Sequence, residues 1–580
     1  MGRQGINWRH VSPITELLIV DAMKPSRILL SALVSVGLVL PALASTDFSE
    51  QLRHRLEITA ELQPAAGDVL YALESLRVVY EHRAWQPLWL DDGLQPNAML
   101  ELAVEALDMA DEHGLDSSRY HRPTIEGLID ELDGATISPA RSSILISLEL
   151  LTTDAILTLG HHLSEGRIDP ESIDPQWFIP KQSATMLEWL QGLEADADAT
   201  PRSFLQAQLP RHAAYHTLVR RLALQREFAV HDQWPSIPGG ALIRPDEVDE
   251  RIESIRQRLV LLGDLDEDRD NDTASSRYDE MMAEAVRHFQ WRHGLNTDAI
   301  IGSRTLQALN ITPDERIGQL RANLERWRWL PDDLGDEYVL VNIAGFDMQV
   351  VSHGQMVMSQ RVIVGQPYRR TPVFTGRMTY LVLNPSWEVP HRLAAQDQLP
   401  KIRGDINYLE EMGFAVLRGW GAEEVRVDPH EVDWQPLSAR NFPYRLRQAP
   451  GPKNALGQVK FMFPNRHNVY LHDTPARGLF ALDDRAASSG CIRLEDPGQL
   501  TEWLLIERDG KHTAESIRRI IESGAETTVR LDRAIPVHLL YWTAWVDDDG
   551  IVHNRHDVYQ RDVVLVQALD APPPEPDSEP

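Results

Sequence analysis

The chain holds a single cysteine, Cys491, in 580 residues. That excludes an intrachain disulfide framework and any zinc or iron–sulfur site built from several thiolates. Basic residues are scarce: 57 Lys+Arg stand against 87 Asp+Glu, a formal net charge of −30. A general nucleic-acid binder needs clustered Lys and Arg, and anionic lipid headgroups repel an acidic surface, so neither is expected as a partner. Also missing is an uninterrupted apolar run of about 20 residues, the length that spans a bilayer. The most apolar internal stretch, Ile144 to Leu159, is broken by Glu149, Thr152, Thr153 and Asp154 and reads as a buried core helix. What is present is an ordinary globular composition, 43% hydrophobic and 25% charged, over a length that favours several domains.

Lys24, Pro25, Ser26 and Arg27 lead into an apolar stretch from Ile28 to Leu40, closing on Pro41-Ala42-Leu43-Ala44. A basic start, a short apolar run and an Ala-x-Ala end are the parts of a secretory signal peptide. Residues 1–44 are therefore expected to direct export, with Met23 as a second candidate start and an uncleaved anchor as the competing reading. After cleavage no stable membrane span is expected.

Residues 45–245 carry apolar side chains at three- and four-residue spacing, as in Leu70, Leu73, Leu76 and Val79, which predicts a helical scaffold. His161-His162 is no metal motif, because adjacent helical residues point about 100° apart and no second pair follows. Over 246–312 the pattern is tighter. Ile252, Ile255, Leu259 and Leu262 form one helix face, Ala285, Val286 and Phe289 a second, and a third short helix ends at Leu309-Asn310. This stretch resembles the three-helix peptidoglycan-binding domain of cell-wall enzymes, departing where Ala299 replaces a common Gly and Ser303 a common Pro. The competing reading is a helical spacer that no longer binds glycan.

A connecting helix is expected over 313–335, and beyond it the periodicity changes. Tyr338 to Ile343, Met348 to Val351 and Gln360 to Gly365 are β-rich runs punctuated by Gly345 and Gly354, hence consecutive antiparallel strands. Tyr380 to Asn384 and Val469 to His472 continue the sheet through a domain expected over 336–562. Residues 391–452 interrupt it with helix-like and irregular sequence and read as an insertion that caps a site. Residues 563–580, with Ala571-Pro572-Pro573-Pro574 and a polar end at Pro580, are expected to be disordered. The fold class is thus multidomain α+β.

Cys491 sits in Ser488-Ser489-Gly490-Cys491-Ile492-Arg493, nineteen residues after His472 in Tyr470-Leu471-His472-Asp473. A thiol attacks only as thiolate, and an imidazole nearby can take its proton and stabilise the ion pair. Gly490 lets backbone approach a substrate, and small neighbours leave N–H groups free for an oxyanion. Either residue alone is more often structural; together, with these flanks, they point to catalysis.

The spacing from His472 to Ser-Ser-Gly-Cys-Ile-Arg resembles the signature of the L,D-transpeptidases with the YkuD-type catalytic domain. Ser489 stands where most members have a second His, one that is not the general base. The large multidomain Gram-negative type is the nearest pattern, supported by Val341-Asn342-Ile343, Val362 to Gly365 and Asn384-Pro385-Ser386-Trp387. The resemblance implies a periplasmic enzyme acting on peptidoglycan stem peptides and glycan, with wall synthases or a lipoprotein as further partners, and inhibition by carbapenems. It implies Cys491 as nucleophile and His472 as general acid/base, with Gly490, Cys491 and Tyr470 as oxyanion donors. Ser489, Trp387 and Asn384 would border the site, and Arg493 would hold either a substrate carboxylate or its own loop. The chemistry calls for no metal or organic cofactor. An L,D-carboxypeptidase, a lipoprotein-anchoring enzyme and a non-catalytic wall-binding scaffold stay open as alternatives.

Overall fold

A computed structural model of the chain describes residues 40–57, 67–134, 139–179, 199–231, 234–266, 276–547 and 549–572. The export segment expected over 1–44 lies outside them as far as residue 39, and so does the chain end from residue 573.

Helices build the first part. Among the described residues the Arg141–Glu165 stretch is the one helix long and apolar enough to cross a membrane, yet 83% of its apolar window is buried inside the protein. Its polar interruptions are answered internally. Glu149 accepts from the Tyr80 hydroxyl (2.9 Å) and the Trp89 N–H (3.1 Å). Asp154 accepts from the Ala72 N–H (2.7 Å) and bonds the His121 ring (2.8 Å). Paired in this way, buried polar groups escape most of their desolvation cost.

Helices Ile252–Leu261, Glu280–Arg292 and Ser303–Asn310 close round a separate core that includes Ile255, Leu259, Val286, Phe289 and Leu309. Ala299 has φ +59°, a left-handed backbone that favours glycine. It is held there by two bonds: its N–H donates to Gln290 Oε1 (2.9 Å), and its carbonyl accepts from the Tyr278 hydroxyl (2.6 Å). Ser303 opens its helix directly after the Gly302 cap, a position that suits proline. Both departures from the common pattern therefore fall on backbone turns and leave the core intact.

The C-terminal strands are β1 Glu337–Asn342, β2 Asp347–Ser352, β3 Gln355–Gly365, β4 Phe374–Leu383, β5 Trp387–Glu388, β6 Phe414–Arg418, β7 Val425–Val427 and β8 Arg445–Gln448. They continue with β9 Val459–Met462, β10 Leu471–His472, β11 Ala486–Ser488, β12 Ile492–Leu494, β13 Thr527–Leu540, β14 Ala544–Val546 and β15 Val552–Asn554. The main sheet runs β11-β3-β12-β10-β9-β4-β13-β1-β2, and β2 pairs again with β3, so the ladder closes on itself. Closure leaves few free edges. The Pro313–Arg328 helix starts with a Thr312–Glu315 capping box. Its Leu324 and Trp327 share one continuous core with Leu148 and Leu163 of the scaffold and Val341 and Leu539 of the sheet.

Two expectations change. The insertion, expected to be helical and irregular, supplies β6, β7 and β8, which with β5 just before it form a four-stranded antiparallel sheet, β5-β8-β6-β7, over a separate core around Leu399, Phe414, Trp434 and Leu446. Those strands run only two to five residues, too short for alternation to register. The stretch expected to be disordered from 563 is instead helical as far as 570, within Arg561–Asp570. Leu565 and Leu569 are buried, Arg561 pairs with Asp174 at 2.7 Å and Asp562 with Arg326 at 2.6 Å. The prolines from 572 onward drew the expected boundary too early.

Candidate active site

β10 and β12 run side by side in parallel, Leu471 opposite Ile492 and His472 opposite Arg493. On a pleated sheet successive side chains face opposite ways. Leu471 and Ile492, both fully buried, point into the core, which sends Tyr470, His472, Cys491 and Arg493 to the other face. All four line one cleft of about 900 Å³. The Ile492 N–H donates to the Tyr470 carbonyl (3.1 Å) and fixes this register where the cysteine enters the strand.

The turn before Cys491 is held from several sides. Gly490 has φ +116°, a conformation in which a side chain would be strained. Its carbonyl accepts from Thr371 Oγ1 (2.9 Å), and the Ser488 hydroxyl donates to the Cys491 carbonyl (2.6 Å). The Gly490 N–H donates to Ser488 Oγ (3.1 Å). That bond removes Gly490 from the expected oxyanion donors, since a donor already satisfied inside its own turn is not free for substrate. Its role is conformational.

The His472 Nδ1 bonds the Asp473 carbonyl at 2.5 Å. A carbonyl only accepts, so Nδ1 carries the proton and Nε2 is left as the base. The Asp473 carboxylate turns elsewhere, to the Gln458 N–H (2.7 Å), the Thr474 N–H (2.6 Å) and Arg477. Orientation of the imidazole thus comes from backbone, with no side-chain triad. Burial, then the Arg493 charge, pushes His472 down to about 3. Burial pushes the Cys491 thiol up, against the Tyr470 backbone and hydroxyl and the charges of Lys460 and Arg493, which favour thiolate. Both shifts favour the neutral thiol and the neutral imidazole.

The remaining candidates divide. Trp387 and Ser489 line the cleft. Ser489 Oγ accepts from Arg369 Nη1 (3.0 Å), and Arg369 also pairs with Asp397 of the insertion at 2.5 Å. Arg493 lines the cleft as well, and its buried Nε has no acceptor among the described residues. Asn384 does not belong. It has φ +51°, and its side-chain N–H groups donate to the Ile520, Ile521 and Ala525 carbonyls at 2.9–3.3 Å. It closes the end of the Ala514–Glu522 helix.

Sequence reasoning missed Lys460. β9 places it opposite His472, with Nζ 3.8 Å from the Tyr470 ring centre. Its signal was a lysine between two buried residues, Val459 and Phe461, in an alternating run. Also missed were Asp174, Pro175 and Gln176, which bring the scaffold to the cleft wall. The Phe178 N–H and the Val373 carbonyl (2.9 Å) tie that segment to the β domain. Nothing local in residues 174–176 announces a contact two hundred residues away. Among the described residues no group of three or more His, Cys, Asp or Glu is placed to hold a metal.

Three segments match known families. Residues 74–222 match a scaffold domain, residues 248–309 a "Putative peptidoglycan binding domain", and residues 336–529 the YkuD family's L,D-transpeptidase catalytic domain. The β domain that holds the cleft thus carries the match to the YkuD L,D-transpeptidase catalytic domain, after a match to a scaffold domain and one to a peptidoglycan-binding domain. Over 244 residues the chain is 39% identical to a protein of Haemophilus influenzae called "Putative L,D-transpeptidase", a stretch covering 42% of this chain. The chain spans about half, 48%, of that relative's length. Solved structures with some likeness include L,D-transpeptidases from Xylanimonas cellulosilytica (14% identical, 52% of this chain and 98% of that one, TM-score 0.17) and Stackebrandtia nassauensis (12%, 52% and 96%, 0.21).

Proposed function

We propose that the chain is a periplasmic L,D-transpeptidase that forms 3→3 peptidoglycan cross-links through a Cys491 thioester. The observation that carries this reading is the array of Tyr470, His472, Cys491 and Arg493 on one sheet face, with Nδ1 of His472 fixed on a carbonyl. Nε2 takes the thiol proton as the sulfur attacks the carbonyl between the L-centre of diaminopimelate and the terminal D-Ala of a tetrapeptide stem. The C–N bond breaks, the proton passes to the departing D-Ala amine, and the acyl group stays on sulfur. The side-chain amine of a second stem then attacks the thioester, loses a proton to Nε2 and releases the thiol.

The Cys491 N–H and the Tyr470 hydroxyl are the oxyanion donors in this scheme, and Lys460 adds positive potential beside them. Arg493, with an unanswered buried Nε, holds a substrate carboxylate. Trp387 and Ser489 border the donor stem. Residues 1–44 export the chain, 45–245 serve as scaffold, 246–312 engage the wall and 336–562 catalyse. A carbapenem, whose strained ring carbonyl suits the same donors, acylates Cys491.

Purified residues 45–580 incubated with disaccharide-tetrapeptide test the reading by product mass spectrometry. A cross-linked dimer with D-Ala release, lost in Cys491→Ala, supports transpeptidation. D-Ala release with only tripeptide makes the protein a carboxypeptidase; binding to sacculi without either product leaves a wall-binding scaffold.

A further inference from the structure

A second cavity, about 480 Å³, lies where the peptidoglycan-binding domain meets the β domain. The seam around it is well bonded. The Asn296 N–H donates to Asp483 Oδ1 (3.1 Å), and Arg555 Nη1 donates to the Arg292 carbonyl (2.9 Å). Trp291 and His553 meet edge to face at 4.8 Å between ring centres.

Two guanidiniums in this cavity are only partly bonded, although the buried Asp347 carboxylate acts on Arg555 from beyond hydrogen-bond reach. Arg316 bonds only uncharged oxygens, Gln319 Oε1 (2.7 Å) and the Ala308 carbonyl (3.3 Å). Arg555 bonds the Arg292 and Asn554 carbonyls (2.9 Å each), and its buried Nε has no acceptor. Neither forms an ion pair with a carboxylate among the described residues. Enclosure pushes Arg316 down to about 9 and Arg555 down to about 10, the latter against the opposing charge of Asp347, and Arg555 lies over the Trp545 ring at 4.6 Å. At the mouth Arg304 lies 3.7 Å from Asp483 and 3.3 Å from Asp484, so those two acids are already engaged. Leu295 and Phe346 supply apolar wall. A planar fork left half-bonded in an enclosed groove matches a carboxylate, and apolar wall beside it matches the aliphatic part of an amino acid.

We propose that this groove between the two domains is a second carboxylate-binding site, in which Arg316 and Arg555 take the carboxylate of a wall stem peptide outside the catalytic cleft. The proposal rests on the peptidoglycan reading above for its ligand. Bound there, a stem would clamp the wall-binding domain against the catalytic one and keep a strand of wall beside Cys491.

The lone native thiol makes the test direct. In the 45–580 chain carrying Cys491→Ala, Gln307→Cys puts one thiol at the exposed rim of the groove for an environment-sensitive fluorophore. The probes are L-Ala-γ-D-Glu-diaminopimelate-D-Ala and free D-alanine. The expected result is a saturable fluorescence change with the tetrapeptide, with half-saturation shifted about ten-fold or more upward by Arg316→Gln or Arg555→Gln. An equal response to D-alanine would still support the site while naming a free amino acid as its ligand. No saturable response to either probe, with both arginines intact, overturns the proposal, as does a response that both variants leave unchanged. Product assays on the wild type separate the two ideas. Cross-linking without a groove response removes this site alone, and a groove response without cross-linking removes the catalytic reading alone.

Discussion

At the scale of single residues, burial favours the protonated Cys491 thiol and the neutral His472 imidazole, two groups that line one cleft. In the proposed reaction the nucleophile is made only when Nε2 takes the proton. Alkylation of Cys491 by iodoacetamide should accordingly keep accelerating through pH 9, the ordinary thiol value. A rate that levels off by about pH 7 would reveal a standing ion pair and contradict this account. His472 also links pH to folding. Its value falls from 6.5 to about 3 in the fold, so between those limits the unfolded chain binds a proton that the folded chain refuses. This contribution to stability is fully present above pH 6.5 and is lost as pH falls toward 3. His472→Gln should therefore show a smaller drop in unfolding midpoint from pH 7 to pH 5 than the wild type. His113, also pushed down to about 3, stays in both chains and leaves each some acid sensitivity. Equal drops would mean that His472 titrates normally.

Residue types and spacing singled out Cys491 and His472, and strand pairing brings both to one cleft. What spacing could not carry was the hydrogen-bond partner of each backbone group. Gly490 read correctly as a special backbone position, yet its N–H is taken by Ser488 Oγ, a contact set by the shape of the turn. Lys460 reaches the site through sheet register, which sequence specifies only weakly.

Among the elements, Asn384 decides a local question. Three carbonyls at the end of the Ala514–Glu522 helix share its amide, and its backbone is left-handed at φ +51°. Asn384→Ala should cost about 2–3 kcal/mol of stability, since carbonyls lose their donor and an alanine must hold that backbone. Activity per folded molecule should stay near wild type. A loss of kcat/KM without a fall in unfolding midpoint would return Asn384 to the cleft. The strands of the capping insertion carry a lesson of the same scale. With two to five residues each they show no periodicity, while aromatic residues of the segment between β7 and β8, Trp434, Phe442 and Tyr444, pack into the separate core.

Over the whole molecule, the Pro313–Arg328 helix, the β domain and the C-terminal helix are bound through buried polar links. Arg326 pairs with Asp562 (2.6 Å), Thr543 Oγ1 donates to Asp562 (2.7 Å), and Asn323 Nδ2 donates to Thr543 Oγ1 (2.8 Å). Removing one partner of such a pair strands a charge in the interior. Asp562→Ala should destabilise the chain by about 3–5 kcal/mol, read as denaturant midpoint at constant m-value. A change under about 1 kcal/mol would show that the pair is solvated or replaceable. Helical spacing exposed the scaffold and the three-helix domain in the sequence. The link between Arg326 and Asp562 crosses most of the β domain in chain order, and no local pattern reports it.

The most direct measurement is intact-protein mass spectrometry of the 45–580 chain mixed with disaccharide-tetrapeptide and quenched in acid, followed by peptide mapping. The account predicts a transient acyl adduct, equal in mass to the donor less D-Ala, on the peptide containing Cys491 and absent from Cys491→Ala. D-Ala release from the Cys491→Ala chain, or an adduct mapped to any other residue, would contradict it.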